Sequence, residues 1–361
     1  MSRAHNFSAG PAAIPESVIQ EIIAVLPEFK GTGMGLMEIS HRSKQFDETL
    51  VSAESRLRSV LGIPTDYKVV FLQGGASLQF YMTALNLLRP GEPADFVLTG
   101  VWSNKAIKEA KRVGDAQPAW DGKADGYTRL PADSELKLRK EAIYVHTTSN
   151  NTIYGTQWHR SPDLQGHHVV CDMSSDICSR PIDVSDYDLI YAGAQKNLGP
   201  SGITAVILSP WAMERCPGNT LPAMLDYRLQ VEERSLYNTT NTFAIFALDR
   251  TLAWIESEGG LPGMKARNSR KAEVLYEELD RSEFWLPRAQ KPDRSWMNVT
   301  WRTHTEELDK AFVSESDKAG LKGLKGHRSA GGLRASLYNA CSVEDVTALV
   351  TFMQDFERRH G

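Results

Sequence analysis

The sequence of 361 residues lacks several features that would each assign it to a particular class of protein. It has no run of about 18 consecutive apolar residues, which a membrane-spanning helix would require. Its 41 Lys and Arg residues are outnumbered by 45 Asp and Glu residues, so the basic excess typical of nucleic-acid binders is missing. We therefore expect neither a membrane nor a nucleic acid among the partners.

Cysteine is also scarce, with four residues at positions 171, 178, 216 and 341. Their spacing matches neither a disulfide framework nor a zinc-binding pattern. The amino-terminal residues, MSRAHNFSAGP, do not contain the apolar stretch that a secretory signal needs. These absences lead us to expect a cytoplasmic protein.

What the chain does contain is typical of a soluble globular protein, with 41% apolar and 24% charged residues. Continuous apolar runs predict buried strands, and amphipathic segments such as 103–113 separate several of them. Because parallel sheets covered on both faces have continuously apolar strands, we expect an α/β doubly wound fold. The runs lie at 68–72, 95–99, 142–147, 168–172, 188–192 and 203–209.

The pattern changes at about residue 242, where long helices are predicted over 242–257 and 260–281. Strands at 297–301 and 333–338 and an amphipathic helix from Val343 follow. Gly259 and Gly260 suggest a boundary near residue 256. We expect a large domain over 16–255 and a smaller α+β domain formed by 1–15 and 256–361.

The segment YAGAQKNLGPSG, at 191–202, places Lys196 just after a predicted strand. A lone lysine in this position is usually a solvated loop residue. Here Gln195 and three glycines permit close approach of the backbone to a ligand, and open α/β sheets bind ligands at the carboxyl ends of their strands. A neutral lysine amine there could form a Schiff base with the aldehyde of pyridoxal phosphate.

Asp172 ends another predicted strand, 24 residues before Lys196. A carboxylate on the cofactor's ring nitrogen keeps that nitrogen protonated, so that the ring can accept electrons from the substrate. The alternative is that Asp172 caps a following helix. A metal site with His167 and His168 is unfavourable, because consecutive strand residues point to opposite faces.

Three other strand ends carry groups that would suit the same cofactor. Gly74–Ser77 follows a strand and opens a helix, where free N–H groups can cradle a phosphate. Trp102 could stack on a flat ring, although a packing role is the commoner one for a single tryptophan. Thr152 could reach a ring oxygen, or could simply be a turn residue.

These segments together resemble the phosphoserine aminotransferase family, within the class V, fold-type-I pyridoxal-phosphate enzymes. The resemblance covers essentially the whole chain and implies a mainly parallel, seven-stranded type of sheet in the large domain. It rests on NFSAGPAAIP (6–15), GLMEISHRS (35–43), LQGGASLQF (72–80), DMSSDICSRPIDV (172–184), YAGAQKNLGPSG (191–202), SLYNTTNTF (235–243) and GHRSAGGLRASLYNA (326–340).

The resemblance implies pyridoxal 5′-phosphate as cofactor and gives each candidate residue a role. Lys196 would form the Schiff base and move the substrate proton, Asp172 would pair with the ring nitrogen, Trp102 would stack on the ring, and Thr152 would bond its hydroxyl. Cofactor phosphate contacts would come from Gly75, Ala76, Ser77 and Gln195, completed by Asn238 and Thr239 of a second subunit. A homodimer with shared active sites follows.

The implied reaction exchanges an amino group between L-glutamate and 3-phosphohydroxypyruvate, giving O-phospho-L-serine and 2-oxoglutarate in serine biosynthesis. The sequence leaves open a second use of 4-phosphohydroxy-L-threonine in vitamin B6 synthesis. We assign Arg334 to the substrate α-carboxylate, since arginine binds carboxylates in a bidentate manner. His41, Arg42, His327 and Arg328 would hold the substrate phosphate or the glutamate side chain, although any one of them could be an ordinary surface charge.

One departure from the family concerns Ser77, because many bacterial members carry an arginine at this position. If that arginine holds the substrate phosphate, other basic residues must do so here. Two alternatives remain: another class V activity, such as a lyase or a desulfurase, and a non-catalytic metabolite-binding protein. A desulfurase needs an exposed thiolate, whereas we interpret Cys341 as a packing residue.

Overall fold

Apolar runs and amphipathic segments alternate along the chain as strands and helices in the computed structural model, which describes residues 3–218 and 220–361. The helices are α1 (Glu16–Val25), α2 (Lys44–Leu61), α3 (Gly75–Leu87), α4 (Val101–Ala110), α5 (Pro210–Arg215), α6 (Tyr227–Glu232), α7 (Thr242–Ser257), α8 (Gly260–Arg281), α9 (Glu306–Lys318) and α10 (Val343–His360). The strands are β1 (His5–Asn6), β2 (Lys68–Leu72), β3 (Pro93–Leu98), β4 (Asp115–Asp121), β5 (Val145–Thr148), β6 (Val169–Asp172), β7 (Leu189–Gly193), β8 (Thr204–Leu208), β9 (Leu286–Pro287), β10 (Asn298–Arg302), β11 (Leu321–Lys322) and β12 (Leu333–Ser336).

Seven of these strands form one sheet in the order β2-β8-β7-β6-β5-β3-β4. The pairs from β7 to β4 are all parallel, whereas β8 runs antiparallel to both β7 and β2. The mainly parallel sheet predicted from the sequence is therefore confirmed. The parallel direction brings the carboxyl ends of β5, β6 and β7 to one edge of the sheet.

Helices cover both faces of this sheet, which explains why its strands are continuously apolar. Alternate strand residues enter two different cores, as Val70 and Phe71 of β2 illustrate. One core contains α2, α7 and the start of α8; the other contains α3, α4 and α6. Burial on both faces fixes each strand's register, because a slip by one residue would exchange the two sets of side chains.

Local signals set the helix ends accurately in several places. In α2 the Ser43 hydroxyl accepts a hydrogen bond from the Phe46 amide, and Gly62, in the left-handed region, ends the helix. The predicted helices over 242–257 and 260–281 have the bounds of α7 and α8. Gly259, between them, also has a positive φ.

The edge strand β4 was not predicted, and its sequence explains why. The segment DAQPAWD has charged ends, a proline and several exposed positions. Proline cannot donate a ladder hydrogen bond, so it is tolerated only where one side of the strand is unpaired. As an edge strand that pairs with β3 alone, β4 meets that condition.

A third apolar cluster surrounds a three-stranded antiparallel sheet, ordered β12-β10-β9. Helices α9 and α10 pack on it, and the amino-terminal Phe7 is buried in the same cluster. Helix α8 connects a core of the large sheet with the cluster of the smaller sheet. Its Met264 packs in the first, and its Leu275 packs in the second.

None of the helices within 3–218 and 220–361 is both long and apolar enough to cross a lipid bilayer.

Candidate active site

A cavity of about 320 Å³ lies at the carboxyl-terminal edge of the large sheet, a size within the usual range for ligand sites. It is lined by ends of β5, β6 and β7 and by segments from both parts of the chain. The predicted site residues among its walls are Gly75, Ala76, Ser77, Trp102, Thr152, Asp172, Gln195, Lys196, His327 and Arg334.

Lys196 extends into this cavity from the turn after β7. Its Nζ donates a hydrogen bond to Thr152 Oγ1 at 3.2 Å. The turn is braced from the amino-terminal segment, since the Ala12 amide donates to the Gln195 carbonyl at 2.9 Å. A Cβ on Gly193 would lie 2.5 Å from Gln195 Oε1, so a larger residue there would displace the Gln195 side chain. A lysine amine is therefore held beside a hydroxyl in a shielded site.

Asp172 is the last residue of β6 and is only 5% exposed. Its Oδ1 accepts a hydrogen bond from the Ser174 amide at 2.9 Å, and a turn rather than a helix follows, so the helix-cap alternative is wrong. No cation of the described residues forms an ion pair with it. Burial raises the pKa of Asp172, and the positive charge of Lys196 acts in the opposite direction.

The glycine loop between β2 and α3 forms an open cradle at the helix start. Gly74 has φ +91° and Gly75 has φ +64°, both in the left-handed region that favours glycine. A Cβ on Gly75 would meet no atom within 4 Å. Because α3 is 13 residues long and its first N–H groups have no partner within the helix, this space suits an anion.

Trp102 lies at the start of α4, just beyond the end of β3. Its ring centroid is 5.6 Å from Lys196 Nζ. The indole Nε1 is buried and has no hydrogen-bond partner among the described residues. The ring is thus presented as a wall of the cavity next to the lysine.

These features together fit pyridoxal 5′-phosphate. The open space at Gly75 would admit a phosphate, and the buried carboxylate of Asp172 forms no ion pair with a described residue, so a protonated ring nitrogen would supply its missing cation. Trp102 offers an aromatic face, and Lys196 is the lysine that lines the cavity. Each of these groups would gain a partner from that cofactor.

On the opposite wall, Arg334 comes from β12, where it faces Thr300 of β10. Its Nη1 lies 3.4 Å from the Thr152 carbonyl, while its Nε is buried and finds no hydrogen-bond partner in the part of the chain that the structure describes. Burial lowers the pKa of Arg334. An anionic ligand would compensate this desolvated guanidinium.

His327 belongs to the glycine-rich loop before β12, and its Nδ1 lies 2.7 Å from Ser329 Oγ. Burial lowers the pKa of His327, and the positive charges of Arg334, Arg328 and Lys105 lower it further. Arg328 is exposed and faces a neighbouring groove beside α9 rather than the cavity. His327 therefore lines the half-exposed edge of the cavity, which we call its entrance, and Arg328 adds a positive charge just outside it.

The structure does not bring the four remaining predicted residues, His41, Arg42, Asn238 and Thr239, to the walls of this cavity. Arg42 Nη2 lies 3.5 Å from the Leu236 carbonyl, so the two segments that carry these residues are neighbours. The Asn238 amide donates to Gln73 Oε1, and Gln73 Nε2 donates to the Thr239 carbonyl.

Sequence reasoning missed a buried polar network behind the cavity. Asn150, which lines the cavity, donates to Ser175 Oγ at 2.8 Å and to Asn298 Oδ1 at 2.7 Å. Asn298 in turn donates to Tyr338, whose hydroxyl donates to the Ala9 carbonyl at 2.9 Å. The polar run TTSNN at a strand end was the available signal, but its partners lie far away in the sequence.

Comparison with known proteins places these features in context. The class-V aminotransferase family model matches residues 4–349. The phosphoserine aminotransferase of Geobacillus kaustophilus is 51% identical over 360 residues and 99% of each chain. The solved phosphoserine aminotransferase from Bacillus circulans subsp. alkalophilus has a TM-score of 0.97, with 47% identity and 99% of each chain covered. That of Trichomonas vaginalis, with the cofactor bound, has a TM-score of 0.92 at 36% identity, covering 98% of this chain and 100% of that one.

Proposed function

Because this chain belongs to the class V aminotransferase family, and within it to the phosphoserine aminotransferases, we propose that it transfers an amino group between L-glutamate and 3-phosphohydroxypyruvate. The products are O-phospho-L-serine and 2-oxoglutarate. The observation that carries the proposal is one cavity that contains a lysine amine, a buried carboxylate and a desolvated arginine, in Lys196, Asp172 and Arg334.

The enzyme depends on pyridoxal 5′-phosphate, which supplies an aldehyde for the lysine and a ring that withdraws electrons from the substrate. Asp172 would hold the ring nitrogen, because its carboxylate is buried without a counter-ion. Trp102 would lie against the ring, and Thr152 Oγ1 would bond the ring hydroxyl. Thr152 is 3.2 Å from Lys196 Nζ, which keeps these groups on one side of the site.

The cofactor phosphate would occupy the cradle at the start of α3. Gly75 and Ala76 offer backbone N–H groups there, and Ser77 adds a hydroxyl. Gln195, next to the lysine in sequence, lines the same cavity and would contact the phosphate with its side chain. Backbone donors at a helix start are already oriented, so little ordering is needed on binding.

Lys196 would then act as the acid and base of the reaction. Its Nζ would take the proton from the substrate α-carbon and would then give a proton to the cofactor carbon that receives the amino group. Thr152 Oγ1 orients the amine while it does so.

Both substrates carry an α-carboxylate, which we assign to Arg334, and a distal anionic group, which we assign to His327 and Arg328. The buried Nε of Arg334 has no partner, so a bidentate carboxylate would satisfy it. The distal group must be bound by positively charged side chains that accept both a carboxylate and a phosphate. The half-buried His327 and the exposed Arg328 of the 326–332 loop suit that purpose.

We also propose a homodimer in which His41, Arg42, Asn238 and Thr239 complete the cavity of the other subunit. They form one surface region, since Arg234 pairs with Asp47 at 3.0 Å beside the Arg42–Leu236 contact. The same region exposes large apolar side chains, as an interface would. These are Ile23, Leu26, Met34, Met37, Val51 and Tyr237.

Subunit mixing tests this arrangement. Lys196→Ala and Asn238→Ala damage different sites if Asn238 acts across the interface, so heterodimers contain one intact site. Random mixing of two inactive variants should restore about a quarter of the wild-type activity. A monomer by sedimentation, or no recovery on mixing, would contradict shared sites.

The division into a large domain over 16–255 and a small domain formed by 1–15 and 256–361 remains our proposal. Phe7 lies in the apolar cluster of the smaller sheet, which supports assigning the first residues to that domain. Met264, however, packs with the large core, so the helix after the proposed boundary is shared. Limited proteolysis near Gly259 would test the boundary.

The proposed activity is tested by a coupled assay of O-phospho-L-serine with 2-oxoglutarate, with unphosphorylated serine as control. We expect turnover with the phosphorylated amino acid and little with serine. Equal rates on both, or none on phosphoserine, would refute the assignment.

A desulfurase is disfavoured by the state of the thiols. All four cysteines are buried, and burial raises the pKa of Cys341 to about 12. A buried neutral thiol is a poor nucleophile. Release of sulfide from cysteine at a rate comparable to transamination would reopen that alternative.

A further inference from the structure

Helix α4 carries a second cation close to the cofactor cavity. Lys105 follows Trp102 by three residues, so the two side chains lie on the same side of the helix. Lys105 Nζ is 4.9 Å from the Trp102 ring centroid, and Lys196 Nζ is 5.6 Å from the same centroid. The indole is therefore within reach of one ammonium inside the cavity and one on the solvent side.

Unlike many charged residues of this protein, Lys105 is exposed and has no carboxylate partner within 3–218 and 220–361. By contrast, Lys30 pairs with Glu48 at 3.1 Å and Lys322 with Asp317 at 2.8 Å. Lys105 does not line the cavity itself, but it lies against Trp102, which does, and an unpaired ammonium so close to a cavity wall is free to bind an anion.

The charge of Lys105 also acts on His327, in the loop before β12. It contributes to lowering the pKa of His327, after burial and the charges of Arg334 and Arg328. Lys105 therefore lies within electrostatic range of the loop assigned to the distal group of the substrate. Asp172 is the single acidic residue among the described walls of the cavity, and it lies on the floor.

The glycine loop adds no charge to this group of cations. Ser77 lines the cavity with a neutral hydroxyl. A substrate phosphate carries nearly two negative charges at neutral pH, whereas the glutamate side chain carries one. A site that accepts both gains selectivity from a further positive charge at the position of the distal group.

We propose that Lys105 is a specificity-determining residue that contacts the phosphate group of the phosphorylated substrate across the entrance from His327 and Arg328. This inference rests on the proposed function and deepens it. A flexible lysine is a point charge that favours the more highly charged anion without requiring a fixed planar geometry. Lys105 thus favours phosphoserine and 3-phosphohydroxypyruvate over glutamate and 2-oxoglutarate.

The test compares Lys105→Gln with Lys108→Gln, which removes an exposed lysine from the last turn of the same helix. We expect Lys105→Gln to raise the KM for phosphoserine about five- to tenfold, with the KM for glutamate changing less than about twofold. Lys105→Arg should restore most of the phosphoserine KM, and Lys108→Gln should change neither value. Added salt should raise the phosphoserine KM more steeply in the wild type than in Lys105→Gln.

Cofactor affinity, measured by spectroscopic titration of the cofactor-free protein, separates binding of the substrate phosphate from a role of Lys105 in holding the cofactor. It should be unchanged in Lys105→Gln. A weaker cofactor affinity, an equal rise in both KM values, or an unchanged phosphoserine KM would each overturn the role of Lys105 while the wild type remained a phosphoserine aminotransferase. A wild type that does not act on phosphoserine would overturn both proposals.

Discussion

The cavity has a buried floor, formed by Asp172, Thr152 and Lys196, and an exposed rim, where Lys105 and Arg328 lie. The two regions hold their polar side chains in different ways. On the floor, Asp172 and Thr152 are buried, and Lys196 has a defined hydrogen-bond partner. At the rim, just outside the residues that line the cavity, Lys105 and Arg328 are exposed, and neither forms an ion pair within the described parts of the chain. The floor serves the chemistry that both substrates share. The rim carries charges that have no ion-pair partner among the described residues, so a substrate would neutralise them and they could discriminate between the two substrates.

Removing the floor lysine is the strongest way to test this division. Lys196→Ala should lower turnover by at least about 10³-fold, because no other lysine of the described chain lines the cavity. The coupled assay measures the loss, and borohydride reduction with peptide mapping should label position 196 in the wild type. Lys68→Ala, on an exposed strand position, is the control. A label elsewhere would contradict the assignment.

Replacing the floor carboxylate should separate function from stability. Asp172→Asn should lower kcat about 10²- to 10³-fold, since it removes the charge that would hold the ring nitrogen. The cofactor-free variant should nevertheless be at least as stable as the wild type at pH 7.

We expect Asp172→Asn to gain stability because the pKa of Asp172 is raised in the folded protein. The unfolded chain loses this proton at a lower pH than the folded chain does, so ionisation in the folded state costs stability at neutral pH. Asp172→Asn removes this cost. The difference in stability between the variant and the wild type should therefore vanish in acid, below the pKa of Asp172 in both the folded and the unfolded chain. Thermal unfolding of both cofactor-free proteins measures it. A less stable variant at pH 7 would mean that the carboxylate is compensated in a way the structure does not contain.

Arg334 lies between floor and rim, and its loss should affect binding of both substrates. Arg334→Ala should raise the KM for glutamate and for phosphoserine about 10- to 100-fold, because both present an α-carboxylate. This differs from Lys105→Gln, which should affect one substrate. Arg358→Ala, on the exposed end of α10, serves as the control. A selective effect on one substrate would move Arg334 to the distal group.

The smallest effect is expected at the phosphate cradle. Gly75→Ala should weaken cofactor binding about tenfold by filling the open space at the start of α3. Gly91→Ala is a matched control, because Gly91 also has a positive φ and no atom within 4 Å of an added Cβ. Both should lose about 1 kcal/mol of stability from backbone strain, and only Gly75→Ala should lose cofactor affinity in a titration. Equal affinities would exclude Gly75 from the cradle.

Much of the floor could be predicted from the sequence, because each residue follows an apolar run and the ends of parallel strands meet. The strand at 68–72 has its predicted bounds. The direction of β8 could not be predicted, since an apolar run such as 203–209 reads the same in either orientation. The link from Asn150 to Asn298 was also out of reach, because 148 residues separate the two amides.

The rim was predicted only in part. His327 and Arg328 were recognised from their motif, whereas Lys105 has no motif, and its significance depends on a contact with Trp102 and on the absence of a partner. His41 and Arg42 lie outside the cavity of their own chain, and a single sequence carries no information about the surface that a second copy would cover.

The walls of the cavity join residues from nearly every part of the chain, from Ala9 to Arg334. Contacts between such distant segments form late in folding, after long loops have closed. A partly folded molecule would therefore lack the pocket even if most of its secondary structure were present. Recovery of cofactor colour during refolding should lag behind recovery of far-ultraviolet circular dichroism, which makes the cofactor a reporter of the final assembly step.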